Sequence, residues 1–167
     1  MNDRRHWLER FFFPRMTRRF VLRLLGLIVV SFLVFAYALI PLHLNGKSME
    51  PTLRDGSMRF CWVPAYWMAD PEVGDVVAVR FGGKRHFLAK RIVAKEGEVV
   101  SFVNGMLHID GVPKTEPYVV LPCDWNLEPR VVDPGHFYVI GDNRSVSIEE
   151  HVFGQVSRGR ITGRIIP

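Results

Sequence analysis

Apolar and polar positions follow two different patterns along this chain. From Leu24 to Leu42 there are 19 residues with no formal charge. Ser31 is the one strongly polar residue among them, and Pro41 lies near the end. Extended back to Phe20, the run exceeds 20 residues, which as a helix rising about 1.5 Å per residue matches the roughly 30 Å hydrocarbon core of a bilayer. After it, no stretch sustains a 3.6-residue apolar period. Short β-type runs separated by turn residues take over. Met58–Val63 is one run. Asp75–Phe81, opened by Gly74 and closed by Gly82-Gly83, is another, and Phe87–Ala94 is a third. Val99–Val103 and Met106–Ile109 flank Asn104-Gly105, a pair that tolerates the positive φ angles of a type I′ hairpin turn. Asp110-Gly111 predicts a further turn, and Phe137–Ile140 and a run from about Gln155 to Ile166 complete the set. The Pro- and Asp-rich segment from Pro113 to Gly135 carries no clear pattern. The expected organisation is therefore a basic N-terminus over 1–19, a membrane anchor over 20–42, and a mostly antiparallel β domain over 43–167. A domain of about 120 residues can bury its own core.

Charge sharpens this division. The net charge is +5, and all of the excess lies before residue 24. Seven arginines (Arg4, Arg5, Arg10, Arg15, Arg18, Arg19 and Arg23) stand there against Asp3 and Glu9, whereas the rest of the chain carries equal numbers of basic and acidic residues. A nucleic-acid-binding face would need basic residues clustered on the folded part, so that class is excluded. With 48% hydrophobic and 12% aromatic residues the chain is not expected to be disordered. By the positive-inside rule the arginines keep the N-terminus in the cytoplasm, and the β domain is exported. A cleaved signal peptide is the alternative, because Ala36-Tyr37-Ala38 fits a small-x-small cleavage site. The apolar run continues past that site through Leu39, Ile40 and Leu42, which favours a retained anchor.

Cys61 and Cys123 fall on the exported side, where oxidising conditions permit a disulfide. Two separate buried thiols are the favoured alternative, since Cys61 sits in an apolar run where free cysteine is common. Two cysteines are too few for a structural zinc site without paired histidines at ligand spacing, and none appear. The aromatic stretch of Trp62, Tyr66 and Trp67, with Met68, is read either as ordinary core or as a surface touching the membrane interface, where Trp and Tyr are favoured.

Three segments carry candidate chemistry. The first is Gly46-Lys47-Ser48-Met49-Glu50-Pro51-Thr52-Leu53, just past the apolar run; the second is Lys90-Arg91-Ile92-Val93; the third is Gly141-Asp142-Asn143-Arg144, followed by Ser145 and Ser147. Along the third β run, two-residue alternation places Leu88, Lys90, Ile92 and Ala94 on one face and Arg91 on the other. Lys90 then has apolar neighbours, and desolvation lowers its pKa. A neutral amine can take a proton from a serine hydroxyl, so no histidine is required. The six histidines are scattered, and no Ser-His-Asp pattern is visible.

Together, in the order Gly-x-Ser-Met-x-Pro-Thr-Leu, Gly-Asp-Val-Val, Lys-Arg-Ile-Val and Gly-Asp-Asn-Arg-x-x-Ser, these segments resemble the type I signal peptidases. That Ser/Lys-dyad group includes bacterial leader peptidases, mitochondrial inner-membrane peptidases and conjugative-transfer peptidases. The resemblance spans about Asn45 to Arg164. It implies a membrane-anchored serine endopeptidase, needing no cofactor, that cuts exported precursors after a small residue. Its partners would be signal-peptide-bearing precursors, membrane lipid and the export machinery. It further implies that Ser48 is the nucleophile, Lys90 the general base, and Ser147 the hydroxyl that orients the lysine. The Ser48 N–H would help form the oxyanion hole, Met49 and Pro51 would shape the nucleophile loop, and Asp142, Asn143 and Arg144 would be supports.

Three departures stand out. Many members carry a second serine two residues before the nucleophile, whose hydroxyl completes the oxyanion hole; here that place is Gly46. The Gly-x-Pro-Gly-Asp that commonly follows the lysine segment is replaced by Ala94-Lys95-Glu96-Gly97-Glu98. The usual Ser-x-Asp-Ser-Arg reads Ser147-Ile148-Glu149-Glu150-His151, so His151 would stand in for the arginine of an ion pair. The departures point to a specialised branch, and a peptidase dedicated to one client, such as a conjugative pilin, is the alternative within the enzyme class. From other classes, a non-catalytic anchored module that binds exported peptides is opposed by the intact Ser48 and Lys90. A self-cleaving repressor would need a DNA-binding domain where this chain has an apolar run.

Overall fold

The computed structural model describes residues 17–81, 86–121, 123–145, 147–149 and 154–166. Two compact units divide between Tyr37 and Ala38. In the first, helix α1 (Arg18–Leu33) is capped by Thr17, whose Oγ1 accepts the Phe20 N–H at 3.2 Å, and continues as a π-helical turn over Val34–Ala38. Within the 21 residues from Arg18 to Ala38, an 18-residue stretch has a mean hydropathy of 2.4, and none of it is buried. Length and composition make this helix able to cross a membrane.

The helical part closes before the apolar run does. Helical structure ends at Ala38, within the span 20–42 expected as an anchor, and Leu39–His43 form strand β1. Hydropathy could not reveal this change, because an apolar helix end and a strand on a hydrophobic sheet have the same composition.

The second unit contains β1, β2 (Met58–Trp62), β3 (Val76–Arg80), β4 (Phe87–Lys95), β5 (Val99–Val103), β6 (Met106–Ile109), β7 (Val112–Pro113), β8 (Leu127–Val131), β9 (His136–Ile140), β10 (Gly154–Ser157) and β11 (Ile161–Ile166). A seven-stranded sheet has the order β1-β2-β11-β3-β4-β9-β10, and a four-stranded sheet has the order β7-β6-β5-β8. Every pairing is antiparallel. The expected hairpin is present: Asn104 and Gly105 both have positive φ, at 49° and 78°, as a type I′ turn requires. The run expected over Gln155–Ile166 is two strands, β10 and β11, separated by a 3-10 turn at Arg158–Arg160. β10 pairs with β9, whereas β11 inserts between β2 and β3. β8 emerges from the unpatterned segment by pairing with β5. The turn expected at Gly82-Gly83 lies outside the described residues.

Three apolar clusters fill the domain. One joins β4 and β9 to the smaller sheet through Val93, Ala94, Phe102, Trp125 and Ile140, with the Phe102 and Trp125 rings edge to face at 5.5 Å. A second gathers Tyr66, Val77, Val79, Ile92 and Val139. The third, around Leu42, Met49, Leu53, Cys61, Ala78 and Ile165, underlies the segment that carries Ser48. The alternation expected along β4 holds only in part. A bulge between Ile92 and Ala94 in the pairing with β9 sends Ala94 into the first cluster and Ile92 into the second. Both cysteines are free thiols. Burial pushes the Cys61 pKa up to about 11.

Candidate active site

The Ser48 loop is pinned from both ends. On its entry side, Leu44 exchanges hydrogen bonds with the 56–57 turn: its N–H donates to Ser57 O at 3.0 Å, and its carbonyl accepts from the Gly56 N–H at 2.9 Å. Gly46 adopts φ +109°, a conformation that strains any L side chain, and its N–H donates to Asp55 Oδ1 at 2.8 Å. On the exit side, Met49 and Leu53 are buried at 3% and 2% exposure, and the Leu53 N–H closes a turn onto Met49 O. Pro51, which follows a cis bond, is exposed. Ser48 itself is half-buried on the wall of a hollow of about 30 Å³, with Leu44, Met49, Leu53, Phe87, Leu88 and Ala89 as its apolar lining.

Lys90 lies on β4, directly across from Val77 on β3. It is 3% exposed. Desolvation lowers its pKa from 10.5 to about 8, against a smaller opposing pull from the Asp142 carboxylate. The apolar environment expected from the sequence is present.

The third segment bonds the Ser48 loop and acts electrostatically on Lys90. The Asn143 N–H donates to Ser48 O at 3.0 Å, and Asn143 Nδ2 donates to Lys47 O at 3.1 Å. Asp142, 1% exposed, accepts from Thr52 Oγ1 at 2.5 Å. It also receives both arms of Arg91, at 2.8 and 2.6 Å. Burial disfavours the Arg91 charge, but the hydrogen bonds to Asp142 and the charges of Asp142 and its neighbours together outweigh that and raise its pKa. The Arg91 guanidinium also sits 3.9 Å from the centre of the Tyr118 ring. Arg144, 1% exposed, donates in bidentate fashion to Glu116 at 2.6 and 3.0 Å and to Gly141 O at 2.8 Å. Its guanidinium also faces the Phe102 and Trp125 rings. Asp142 and Arg144 are thus each held in a buried ion pair, and Asn143 is bonded to the Ser48 loop.

Ser147 is exposed and forms no hydrogen bond to Lys90 in the described structure. Ser145 instead bonds Asn143 Oδ1 through its hydroxyl and its N–H, at 2.7 and 3.1 Å. Glu149 is exposed, and His151 lies outside the described residues. Sequence reasoning did not assign Thr52, Arg91, Glu116 or Tyr118 to the site. Thr52 and Arg91 stand inside the recognised segments, but Glu116 and Tyr118 lie where no periodicity guides the eye. Among the described residues, no group of three His, Cys, Asp or Glu is placed to hold a metal ion.

The model of the family "Signal peptidase, peptidase S26" matches residues 17–166, and the chain belongs to that family. Among curated relatives, it is similar to thylakoidal processing peptidase 1 of the Arabidopsis thaliana chloroplast, with 30% identity over 83% of this chain and 44% of that protein. Probable signal peptidase I-1 of Synechocystis is 29% identical over 83% and 75% of the two chains. Signal peptidase IB of Staphylococcus aureus is 29% identical over 82% and 81%. The chain thus spans less than half the length of its thylakoidal relative and about four-fifths of the staphylococcal one. A solved signal peptidase I from Enterococcus faecalis aligns over 58% of this chain and 97% of its own, with 24% identity and a TM-score of 0.47.

Proposed function

We propose that this protein is a membrane-anchored serine endopeptidase that removes signal peptides from exported precursors through a Ser48/Lys90 dyad. The observation that carries this reading is the Asp142-Asn143 corner. Asn143 holds the Ser48 carbonyl, while Asp142 acts electrostatically on a Lys90 whose burial favours the neutral amine. Ser48 Oγ attacks the scissile carbonyl carbon, and its proton passes to Lys90 Nζ. The carbonyl π pair moves onto oxygen. Collapse breaks the C–N bond, Lys90 returns the proton to the leaving amine, and water then hydrolyses the acyl-enzyme. The 30 Å³ hollow beside Ser48 admits about a methyl group or one water. This supports cleavage after a small residue such as alanine. Ser147 takes the role of lysine-orienting hydroxyl on the family resemblance alone.

α1 spans the cytoplasmic membrane once, with the arginines inside and the β domain on the outer, periplasmic face. Trp62 and Trp67 are 40% and 68% exposed, whereas Tyr66 is buried and donates to Asp75 Oδ2 at 2.7 Å. The two tryptophans are therefore assigned to lipid contact and Tyr66 to the core. Replacing both by serine is expected to weaken binding of the full chain to vesicles without lowering its melting temperature; unchanged binding contradicts the assignment. The activity itself is tested by incubating wild type, Ser48→Ala and Lys90→Ala with a signal-peptide substrate. Cleavage by wild type alone supports the dyad, and wild-type rates in either variant contradict it.

A further inference from the structure

An oxyanion that forms next to Ser48 needs more than one hydrogen-bond donor. Preorganised donors are worth the most where water is excluded, and one of them typically supplies 10²–10³-fold in kcat. The Ser48 N–H accounts for one. Gly46 cannot supply a second from its backbone, because its N–H is held by Asp55 Oδ1 at 2.8 Å. Nor can a hydroxyl side chain stand there without strain, because φ at Gly46 is +109°.

Asn45, itself exposed, is also among the residues that line the hollow beside Ser48. The Asn45 carboxamide is paired with the His43 ring, with Nδ1 and Oδ1 3.0 Å apart. His43 is itself fixed at the end of β1, opposite Met58 on β2. In the tautomer with His43 Nδ1–H donating, Oδ1 is the acceptor and the two Nδ2 hydrogens are left to donate elsewhere. An amide whose oxygen is turned to the imidazole is oriented to offer its NH2 group on the other side.

We propose that Asn45 Nδ2 is the second oxyanion donor of this chain and that His43 is the positioning residue that sets the orientation of its amide. The inference rests on the Ser48/Lys90 reading. It explains how a chain with glycine at position 46 keeps a two-donor oxyanion hole, the second donor coming from the residue just before that glycine.

The test uses the full chain in detergent with a signal-peptide substrate, a peptide aldehyde that forms a tetrahedral adduct with serine, and the cleaved leader (product) peptide with its C-terminus amidated, which carries no charge into the oxyanion site. Asn45→Asp keeps the shape and the acceptor for His43 but removes the donor and adds a charge facing the oxyanion. It is expected to lower kcat by about 10²–10³-fold with KM changed less than threefold. Aldehyde affinity should fall by a similar factor while product-peptide affinity holds. Asn45→Ala should follow in the same direction. His43→Ala should lower kcat about tenfold, again without moving KM. Full kcat in Asn45→Asp overturns the proposal, as does equal loss of aldehyde and product binding, which marks a merely structural role. Ser48→Ala run alongside separates the two readings. If Ser48→Ala is inactive while Asn45→Asp is unimpaired, the dyad stands and the Asn45 assignment fails; an active Ser48→Ala removes both.

Discussion

Lys90 and Arg144 are both cations, and both are almost fully buried, at 3% and 1% exposure. Their surroundings differ. Arg144 meets the Glu116 carboxylate with two hydrogen bonds, gives a third to Gly141 O, and faces two aromatic rings. Lys90 faces Val77 across the sheet and, among the described residues, feels the electrostatic pull of Asp142, a carboxylate already bonded to Arg91 and Thr52. The Arg144 corner joins the loop around Glu116 to the segment after β9 as a satisfied network, whereas burial at Lys90 is turned into proton affinity lowered toward neutrality. A charge buried with its partner holds a fold together. A charge buried with its partner already taken becomes a base.

The comparison breaks most visibly in activity. Ser48→Ala and Lys90→Met are each expected to lower signal-peptide cleavage by at least about 10⁴-fold, because in the proposed dyad nucleophile and base act as one unit. Arg144→Lys, which keeps the charge but loses the fork, should cost activity only in proportion to lost folding. A rate assay at constant folded fraction checks this.

The next largest effect is on stability, and the two cations should give opposite signs. Arg144→Met leaves the Glu116 carboxylate without its guanidinium and is expected to cost about 3–5 kcal/mol in urea unfolding. Lys90→Met removes a desolvated amine and should stabilise the domain at pH 7, by about 1–3 kcal/mol. The sign follows from linkage. The folded pKa of about 8 lies below the unfolded 10.5, so between these values the unfolded chain binds more protons. Wild-type stability therefore rises with pH across that window, and below about pH 8 the full cost of burying the charge is present. The advantage of Lys90→Met should shrink as pH rises from 8 to 10.5.

Asp142→Asn sharpens the comparison further. It removes the one attraction that raises the Lys90 pKa and leaves the Arg91 charge without its partner, so the acid limb of the activity profile should move to lower pH. A limb that stays in place or moves upward contradicts the assigned role of Asp142. The smallest effect concerns Cys61, a third buried group that burial keeps neutral, with its thiol pushed up to about 11. It should resist alkylation at pH 8 in the native protein and react on unfolding, as thiol mass labelling would reveal.

Much of this arrangement is legible from sequence because its signals are local. The strands at Met58, Val76 and Phe87 announce themselves by β-branched and apolar runs between turns, and the Asn104-Gly105 hairpin by turn chemistry. Ser48, Lys90 and the Asp142-Asn143 corner stand in recognisable segments, and the depressed lysine follows from its apolar neighbours. What was not legible depends on contacts distant in the chain. β1 is hidden inside the apolar run, since only pairing with β2 distinguishes it from a helix end. β8 exists because β5 offers an edge, and the split of β10 from β11 reflects two different partners. Glu116 gains its role through Arg144, 28 residues away, which no periodicity records. The bulge between Ile92 and Ala94 is likewise a property of the pairing with β9 and not of β4 alone.

The central claim is that Lys90 is the base, and it is tested most directly by titrating that one amine. Observing Lys90 Nζ by NMR in the full chain, with kcat/KM for a signal-peptide substrate measured over the same pH range, should give one shared pKa near 8 and activity rising as the amine loses its proton. A Lys90 that titrates near the ordinary 10.5, or activity that is flat across neutral and mildly alkaline pH, would contradict the account.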